Sequence, residues 1–200
     1  MMKGFNEVMK KGFTLVEVSI LFVVFLIVAF LVAPLSLDDT IQAKHTSKWR
    51  SVQEDFTNIF YSIDTQKEQN QISFQDAFNS ILKNEIKEEI KSYKITFLNG
   101  ALPIEPYRFK DYKLTYSNAV IAIKLFENEK DKLKGILLYD VNGASSPNTW
   151  GKDVFGLNIY EDKFEPIGKD KPFSVQKQDC SKNGTGLSCS NFYLIGGSFD

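Results

Sequence analysis

Oxygen-bearing side chains are concentrated in a Gly- and Pro-punctuated stretch in the second half of the chain. Asp140, Asn142 and Asp153 lie in this stretch. Carboxylate and amide oxygens are the ligands that Ca²⁺ prefers, and the ion takes about six to eight of them. The spacing differs from an EF-hand, because the third ligand and the distal Glu of that motif are missing. A turn held by Asx hydrogen bonds is therefore favoured for the bare motif, and a calcium site is the alternative.

The two cysteines, Cys180 and Cys189, enclose eight residues near the C terminus. Two thiols allow one disulfide at most and are too few for a zinc cage. In an oxidising compartment such a bridge would stabilise the fold by about 2–3 kcal/mol in the loop-entropy account. We expect the pair to form if this part of the chain lies outside the cytoplasm, and two buried free thiols are the alternative.

The remaining composition argues against catalysis and against nucleic-acid binding. His45 is the single histidine, and it lies far in sequence from both cysteines, which disfavours a Cys–His nucleophile. No Gly-x-Ser-x-Gly elbow or phosphate loop occurs. Lys and Arg total 24 against 25 Asp and Glu, so the basic excess typical of nucleic-acid binding is missing. We expect neither an enzyme nor a nucleic-acid partner.

One long apolar run lies near the N terminus. Residues Val18 to Ala33 carry no charge, and Ser19 is their only polar side chain. About 20 helical residues cross a hydrocarbon core of about 30 Å, so Phe13 to Pro34 is long enough to span a membrane. The lysines ahead of the run predict a cytoplasmic N terminus, a single span in the cytoplasmic membrane and an extracytoplasmic bulk from Asp38 onward.

Glu17 is the one charge at the start of this run. A charge deep in a spanning helix costs about 2.5–3.5 kcal/mol on insertion scales, so it needs a partner or a purpose. The segment around it reads Lys10-Lys11-Gly12-Phe13-Thr14-Leu15-Val16-Glu17. This segment resembles the type IV prepilin signature, in which a basic leader ends in Gly and Phe-Thr-Leu-x-Glu opens an apolar helix. Pro34 lies where pilins commonly carry a helix-kinking proline.

The resemblance implies a processing event and an assembly contact. A prepilin peptidase would cut between Gly12 and Phe13 and N-methylate Phe13. Glu17 would then pair with the N-terminal amine of a neighbouring subunit, because the two charges neutralise each other in an apolar bundle. The implied partners are other pilin or pseudopilin subunits, the prepilin peptidase, an inner-membrane assembly platform and membrane lipid.

Two later stretches add to the likeness. The stretch with Asp140, Asn142 and Asp153 resembles a segment of pilin-like heads and type II secretion pseudopilins, and major pseudopilins hold calcium in a comparable late loop. The resemblance thus favours calcium as the one candidate cofactor, while Asp140, Asn142 and Asp153 are its candidate ligands on the chemistry of their oxygens alone. The segment between Cys180 and Cys189 resembles the disulfide-bounded C-terminal loop of many type IV pilins.

The pattern of apolar residues predicts the elements that position these groups. A helical stripe predicts one continuous helix from about Phe13 to Thr65, whose outer half packs on a globular head. His45, Trp49 and the neighbouring cations Lys48 and Arg50 are expected near the far membrane surface, as an anchor. The stripe consists of Ile41, Val52, Phe56, Ile59, Phe60 and Ile63.

A second helix is predicted from Phe74 to about Ser92, because apolar residues recur there at helical spacing after a capping-box-like start. Short β-rich runs separated by turn residues follow it. They are residues 94–98, 112–116, 120–126, 135–141, 154–160 and 191–195. The predicted fold class is therefore α+β, with a long N-terminal helix, its first half membrane-spanning, packed on an antiparallel sheet head as in pilins.

The predicted organisation has three parts: a prepilin leader at 1–12, a transmembrane helix half at 13–37 and a pilin-like periplasmic or extracellular head at 38–200. The predicted function is a structural subunit of a type IV pilus or a type II secretion pseudopilus. The size of the head favours a minor subunit. The alternative is a single-pass, membrane-anchored extracytoplasmic binding protein that does not polymerise.

Overall fold

A long helix and an antiparallel sheet form the main parts of the structure. The computed structural model describes residues 15–70, 74–126 and 133–198. Helix α1 extends from Leu15 to Asn70 without interruption, and α2 covers Phe74–Glu85. The remaining elements are β1 (Ile86–Ile90), β2 (Tyr112–Thr115), β3 (Val120–Leu125), β4 (Leu133–Asp140), β5 (Val154–Tyr160), β6 (Phe164–Pro166), α3 (Phe173–Asp179) and α4 (Cys189–Phe192).

The six strands form one sheet in sequence order, and every neighbouring pair is antiparallel. Strand β4 lies between β3 and β5, and its last six residues are all buried. A strand with such a continuous buried run is covered on both faces of its sheet. Asp140, the last residue of β4, pairs in register with Val154, the first residue of β5, so the β4–β5 connection starts and ends at one point of the sheet edge.

The helices cover one face of the sheet. Trp49 of α1 is fully buried and stacks on Phe155 of β5, with ring centroids 5.1 Å apart. Burial of such apolar side chains is the main favourable term that fixes the helix to the sheet. The same cluster contains Val52, Phe56 and Ile63 of α1, Phe78 and Leu82 of α2, and Ile121, Leu137, Tyr139, Leu157 and Ile159 of the sheet.

Loop segments cover the opposite face. Trp150, in the β4–β5 connection, is fully buried there and contacts Tyr107 from the long β1–β2 connection. The cluster on this face also contains Ile95, Phe97, Phe109, Ala122, Ile136, Leu138, Val154, Ile167 and Leu187. The sheet is therefore the middle layer between helices and loops, which explains why its central strands are apolar on both sides.

The chain divides into two compact units, one up to Ile41 and the other from Gln42 onward. In the first unit, apolar side chains of α1 are exposed, for example Leu15 at 85% and Phe25 at 69%. Within the residues that the structure describes, no helix has both the length and the apolar character required to cross a membrane.

Three of the predicted elements differ from the structure. The second helix ends at Glu85 rather than near Ser92, because the chain turns into β1 and pairs with β2. Residues 94–98 form only an isolated bridge between Thr96 and Thr149. The segment 191–195 begins inside the helical turn α4 instead of forming a strand.

The stripe along α1 also differs at its first member. Ile41 is half exposed and belongs to the first unit, whereas Val52, Phe56 and Ile63 are buried as predicted. The pattern did not predict β6 or α3, because neither carries the apolar alternation of a strand or the length of a typical helix.

Candidate functional site

The predicted processing and assembly residues lie at the start of the chain. Gly12 and Phe13 fall outside the described residues. Glu17 is exposed in the first described turn of α1, between the exposed side chains of Val16 and Val18. The backbone of Pro34 lies within the uninterrupted helix α1, and its side chain is outside the described part, so the predicted kink remains a prediction.

Asp140, Asn142 and Asp153 come together in the β4–β5 connection. The backbone N–H of Asn142 donates to Asp140 Oδ1 over 2.9 Å, which is the i to i+2 bond of an Asx turn. The side-chain amide of Asn142 donates from Nδ2 to Asp153 Oδ2 over 3.1 Å. The turn favoured for the bare motif is therefore present, and the third residue joins it from the far end of the connection.

Asp153 holds most of the connection in place through its two carboxylate oxygens. Oδ1 accepts from the backbone N–H of Thr149 at 2.6 Å, and Oδ2 accepts from that of Asn148 at 2.9 Å. The backbone N–H of Val141 also donates to the Asp153 carbonyl at 2.9 Å. Because hydrogen bonds to a carboxylate are stronger than those between neutral groups, this residue is the main constraint on the loop.

Both carboxylates are fully buried, and burial raises the pKa of each. For Asp140, burial and the charge of Asp153 outweigh the hydrogen bonds from Tyr93 and Asn142, so its pKa rises to about 7. Burial and the charge of Asp140 raise the pKa of Tyr93, which therefore stays protonated and donates its hydroxyl to Asp140 Oδ2.

Two amide oxygens in the same connection lack partners. Asn142 Oδ1 and Asn148 Oδ1 are buried, and neither has a hydrogen-bond partner among the described residues. A buried acceptor without a donor costs free energy unless water or an ion supplies the missing contact. Asn148 also has a positive φ of 49°, a conformation that Asn tolerates better than most residues.

These groups fit a hard cation in the chemistry of their donors. Two carboxylates and two amide oxygens are the donor types that Ca²⁺ takes, and water would have to complete its shell. No group of three or more His, Cys, Asp or Glu side chains suited to a metal ion occurs in the described part of the chain. The residues that would hold an ion in this connection are Asp140, Asn142, Asn148 and Asp153, because they carry these oxygens.

Helix α1 binds the β4–β5 connection through three side chains whose contacts with this loop the sequence did not predict. Gln42 Nε2 donates to the Gly151 carbonyl at 3.2 Å, and His45 Nδ1 donates to the Lys152 carbonyl at 3.3 Å. Lys48 Nζ donates to the carbonyl of Val141. Lys48 and His45 therefore act as donors to loop carbonyls, and their expected position near a membrane surface stays a prediction.

The next turn of α1 binds the C-terminal segment in the same way. Trp49 Nε1 donates to the Ser190 carbonyl at 2.7 Å, and Arg50 Nη2 donates to the Tyr193 carbonyl at 2.7 Å. Each contact satisfies a main-chain carbonyl of the short helix α4 or of the residue directly after it. The residues from 42 to 50 of α1 are thus tied to two separate loops of the second unit.

Cys180 and Cys189 form a disulfide, as predicted, and both are buried. Asp179 closes the loop between them, because its carboxylate accepts from the backbone N–H groups of Thr185 and Ser188, each at 2.8 Å. Burial opposes ionisation of Asp179, but the hydroxyl of Thr185, which donates to Oδ1 at 2.6 Å, and the two backbone donors outweigh burial and lower the pKa of Asp179.

The disulfide loop lies directly against the β4–β5 connection. A Cβ built on Gly151, whose φ is +82°, would lie 2.7 Å from Cys189 Sγ. Glycine is therefore required at this contact for both space and backbone conformation.

Comparisons of the chain with known protein families, curated proteins and solved structures find no match.

Proposed function

We propose that this chain is a structural subunit of a type IV pilus or a type II secretion pseudopilus, processed by a prepilin peptidase and assembled through its N-terminal helix. The segment from Lys10 to Glu17, followed directly by an uncharged run, carries the proposal. It combines a basic leader, a Gly-Phe cleavage pair and one acidic residue in a fixed order. An anchored protein that does not assemble has no physical need for Glu17 at the start of an apolar helix.

The fold supports this role. One helix of 56 residues contains both Glu17 and the buried residues Trp49, Val52, Phe56 and Ile63. The later part of that helix packs on an antiparallel sheet. The apolar side chains near Glu17 are exposed. Exposed apolar surface of this extent is typical of contact with lipid or with other subunits. A pilin-like arrangement, with head and helix in one subunit, accounts for both features.

The proposed location is the cytoplasmic membrane before assembly and a pilus or pseudopilus afterwards. The leader would lie in the cytoplasm, residues 13–37 in the membrane and residues 38–200 outside. The disulfide between Cys180 and Cys189 supports the last assignment, because structural disulfides persist mainly in oxidising compartments.

Calcium binding in the β4–β5 connection is the second part of the proposal. The buried oxygens of Asn142 and Asn148 that lack partners support it, together with the carboxylates of Asp140 and Asp153. A bound divalent cation would supply positive charge to two carboxylates whose burial otherwise disfavours ionisation. The residues would hold the loop in one conformation, which is a structural rather than a catalytic role.

Intact-mass and N-terminal analysis of the protein from membranes tests the processing step. We expect a chain that begins at Phe13 and carries one added methyl group, and we expect Gly12→Val to remain uncut. A chain that still begins at Met1 would overturn the prepilin assignment and leave the anchored binding protein as the working hypothesis.

Incorporation of variants into sheared filaments tests the assembly step. We expect Glu17→Ala to insert in the membrane but to assemble poorly, because the neighbouring N-terminal amine loses its partner. Glu54→Ala is the matched control, since Glu54 is an exposed carboxylate on the same helix. Equal incorporation of the Glu17 and Glu54 variants would contradict the proposed role of Glu17.

A further inference from the structure

The β4–β5 connection, residues 140–153, presents main-chain carbonyl groups to α1. The carbonyls of Val141, Gly151 and Lys152 accept from Lys48, Gln42 and His45. These donors recur at three-residue intervals and so lie on one side of the helix. Their partners are 93 to 109 positions away in the chain, so the contacts exist only when both the helix and the loop are in place.

The orientation of those carbonyls depends on the buried carboxylates of the loop. Val141 lies between Asp140 and Asn142, which share the Asx turn, and its N–H is bound to the Asp153 carbonyl. Gly151 and Lys152 directly precede Asp153, whose carboxylate binds the N–H groups of Asn148 and Thr149. A change in the Asp153 contacts therefore changes the direction of the acceptors that α1 binds.

We propose that residues 140–153 form a clasp on α1, so that the closed conformation of this loop and the docking of α1 residues 42–48 stabilise each other. The coupling is reciprocal: loosening the helix donors opens the loop, and opening the loop loosens the helix. The coupling between helix and loop arises from the three carbonyl contacts and from the carboxylate hydrogen bonds that orient those carbonyls.

The clasp has a use in the proposed function, on which this step rests. The part of α1 that belongs to the second unit begins at Gln42, so the clasp binds the first turns of α1 in that unit. A cation held by Asp140 and Asp153 would favour the closed loop and would thereby strengthen the docking of α1.

Hydrogen exchange by mass spectrometry on the full chain in detergent micelles tests the clasp. In Lys48→Met we expect exchange of the loop amides of Asn142, Asn148 and Thr149 to rise by about tenfold or more, while strand β4 keeps its protection. Lys44→Met is the matched control, because Lys44 is an exposed cation on the same stretch of α1, whereas Arg50 binds Tyr193, whose hydroxyl donates to the Gly151 carbonyl of the clasp. In this control we expect the loop amides to exchange as in the wild type.

The opposite direction of the coupling is tested by amide exchange in helix α1. In Asp153→Asn we expect faster exchange at α1 residues 42–50, with the amides of β5 beyond Val154 unchanged. If Asp153→Asn fails to fold, Gln42→Leu replaces it as a second probe of the helix contacts, with the loop amides as the readout. Unchanged loop exchange in Lys48→Met, or an equal rise in Lys48→Met and Lys44→Met, would overturn the proposal.

The exchange experiment does not depend on processing or on filaments. Failure of the clasp would appear as unaltered exchange in a chain that is still cut at Gly12 and assembled. Failure of the proposed function would appear as an uncut chain, whatever the exchange rates are.

Discussion

Asn142 donates a hydrogen bond from Nδ2 to Asp153 Oδ2 over 3.1 Å, which joins the first turn after β4 to the residue directly before β5. The bond closes the connection on itself and leaves the other amide atom, Asn142 Oδ1, buried without a described partner. The same contact therefore closes the loop and leaves a buried acceptor that the proposed calcium ion would satisfy. Replacement of Asn142 by an apolar residue of the same shape would remove both the hydrogen bond to Asp153 and the buried amide oxygen.

Asp153→Asn should destabilise the protein by about 2–3 kcal/mol, because the substituted amide cannot accept from all the donors that the carboxylate serves. The affected donors are the N–H groups of Asn148 and Thr149 and the amide of Asn142. Urea denaturation measures the free energy of unfolding. Asp162→Asn, an exposed carboxylate after β5, is the control and should leave it unchanged. A similar loss in both variants would contradict the assigned role of Asp153.

Asp140 should make the protein less stable as the pH rises. Burial raises its pKa from 3.8 to about 7, so the folded chain binds this proton more tightly than the unfolded chain. The resulting stabilisation is complete when the pH lies below the pKa of Asp140 in the unfolded chain. It is lost as the pH rises to about 7, and over this range the free energy of unfolding falls by up to about 1.4 kcal/mol per pH unit. Urea denaturation at about pH 5 and about pH 7.5 measures this difference.

Asp140→Asn is the variant that isolates the effect. It removes the titrating group, so the fall in the free energy of unfolding between the two pH values should become smaller than in the wild type. The same fall in both proteins would show that another group is responsible.

The central strands could be predicted from the sequence because each contains enough local information. The runs in β3, β4 and β5 are rich in aliphatic and aromatic residues and are separated by turn residues. The buried positions Val52, Phe56 and Ile63 of α1 could be predicted for a similar reason, since they recur at helical spacing. In both cases burial follows a period that the sequence displays directly.

Strand β1 and helix α4 could not be predicted because their conformation is decided by distant partners. Ile86 and Ile90 are four residues apart, which fits a helical stripe, but pairing with Thr115 and Tyr112 of β2 makes the segment a strand. The segment after Cys189 is held as a helical turn next to the disulfide, with the Ser190 carbonyl bound to Trp49. Such tertiary contacts override local propensity.

The candidate site was partly predictable for a geometric reason. Asp140 and Asp153 flank one connection between antiparallel strands, so their proximity follows once β4 and β5 are recognised. Asn148 was missed, although an Asn after Pro in a turn is a signal for the left-handed conformation that it adopts. The donors from α1 carry no local signal, because Lys48 and Val141 are 93 positions apart.

Removal of the disulfide should reduce the free energy of unfolding by about 2–3 kcal/mol, since the bridge closes a short loop. Cys180→Ser with Cys189→Ser tests this, because the double variant leaves no unpaired thiol. The control is the wild type under reducing conditions, which should approach the stability of the double variant. The hydrogen bonds that the N–H groups of Thr185 and Ser188 donate to Asp179 remain in both, so a complete loss of folding would contradict the expected loss of about 2–3 kcal/mol.

Chelation of calcium should lower the melting temperature of the head, and Asp140→Ala should abolish the difference between calcium and chelator. The ion adds contacts to the buried oxygens of Asn142 and Asn148 only in the folded chain, so it stabilises that state by mass action. Because binding requires Asp140 to lose its proton, calcium affinity should fall as the pH drops below about 7. Magnesium should stabilise less, since it favours a smaller and more rigid shell. Thermal melts of the wild type, Asp140→Ala and the control Asp162→Ala measure these effects. An unchanged wild-type melting curve on chelation would eliminate calcium binding at this loop.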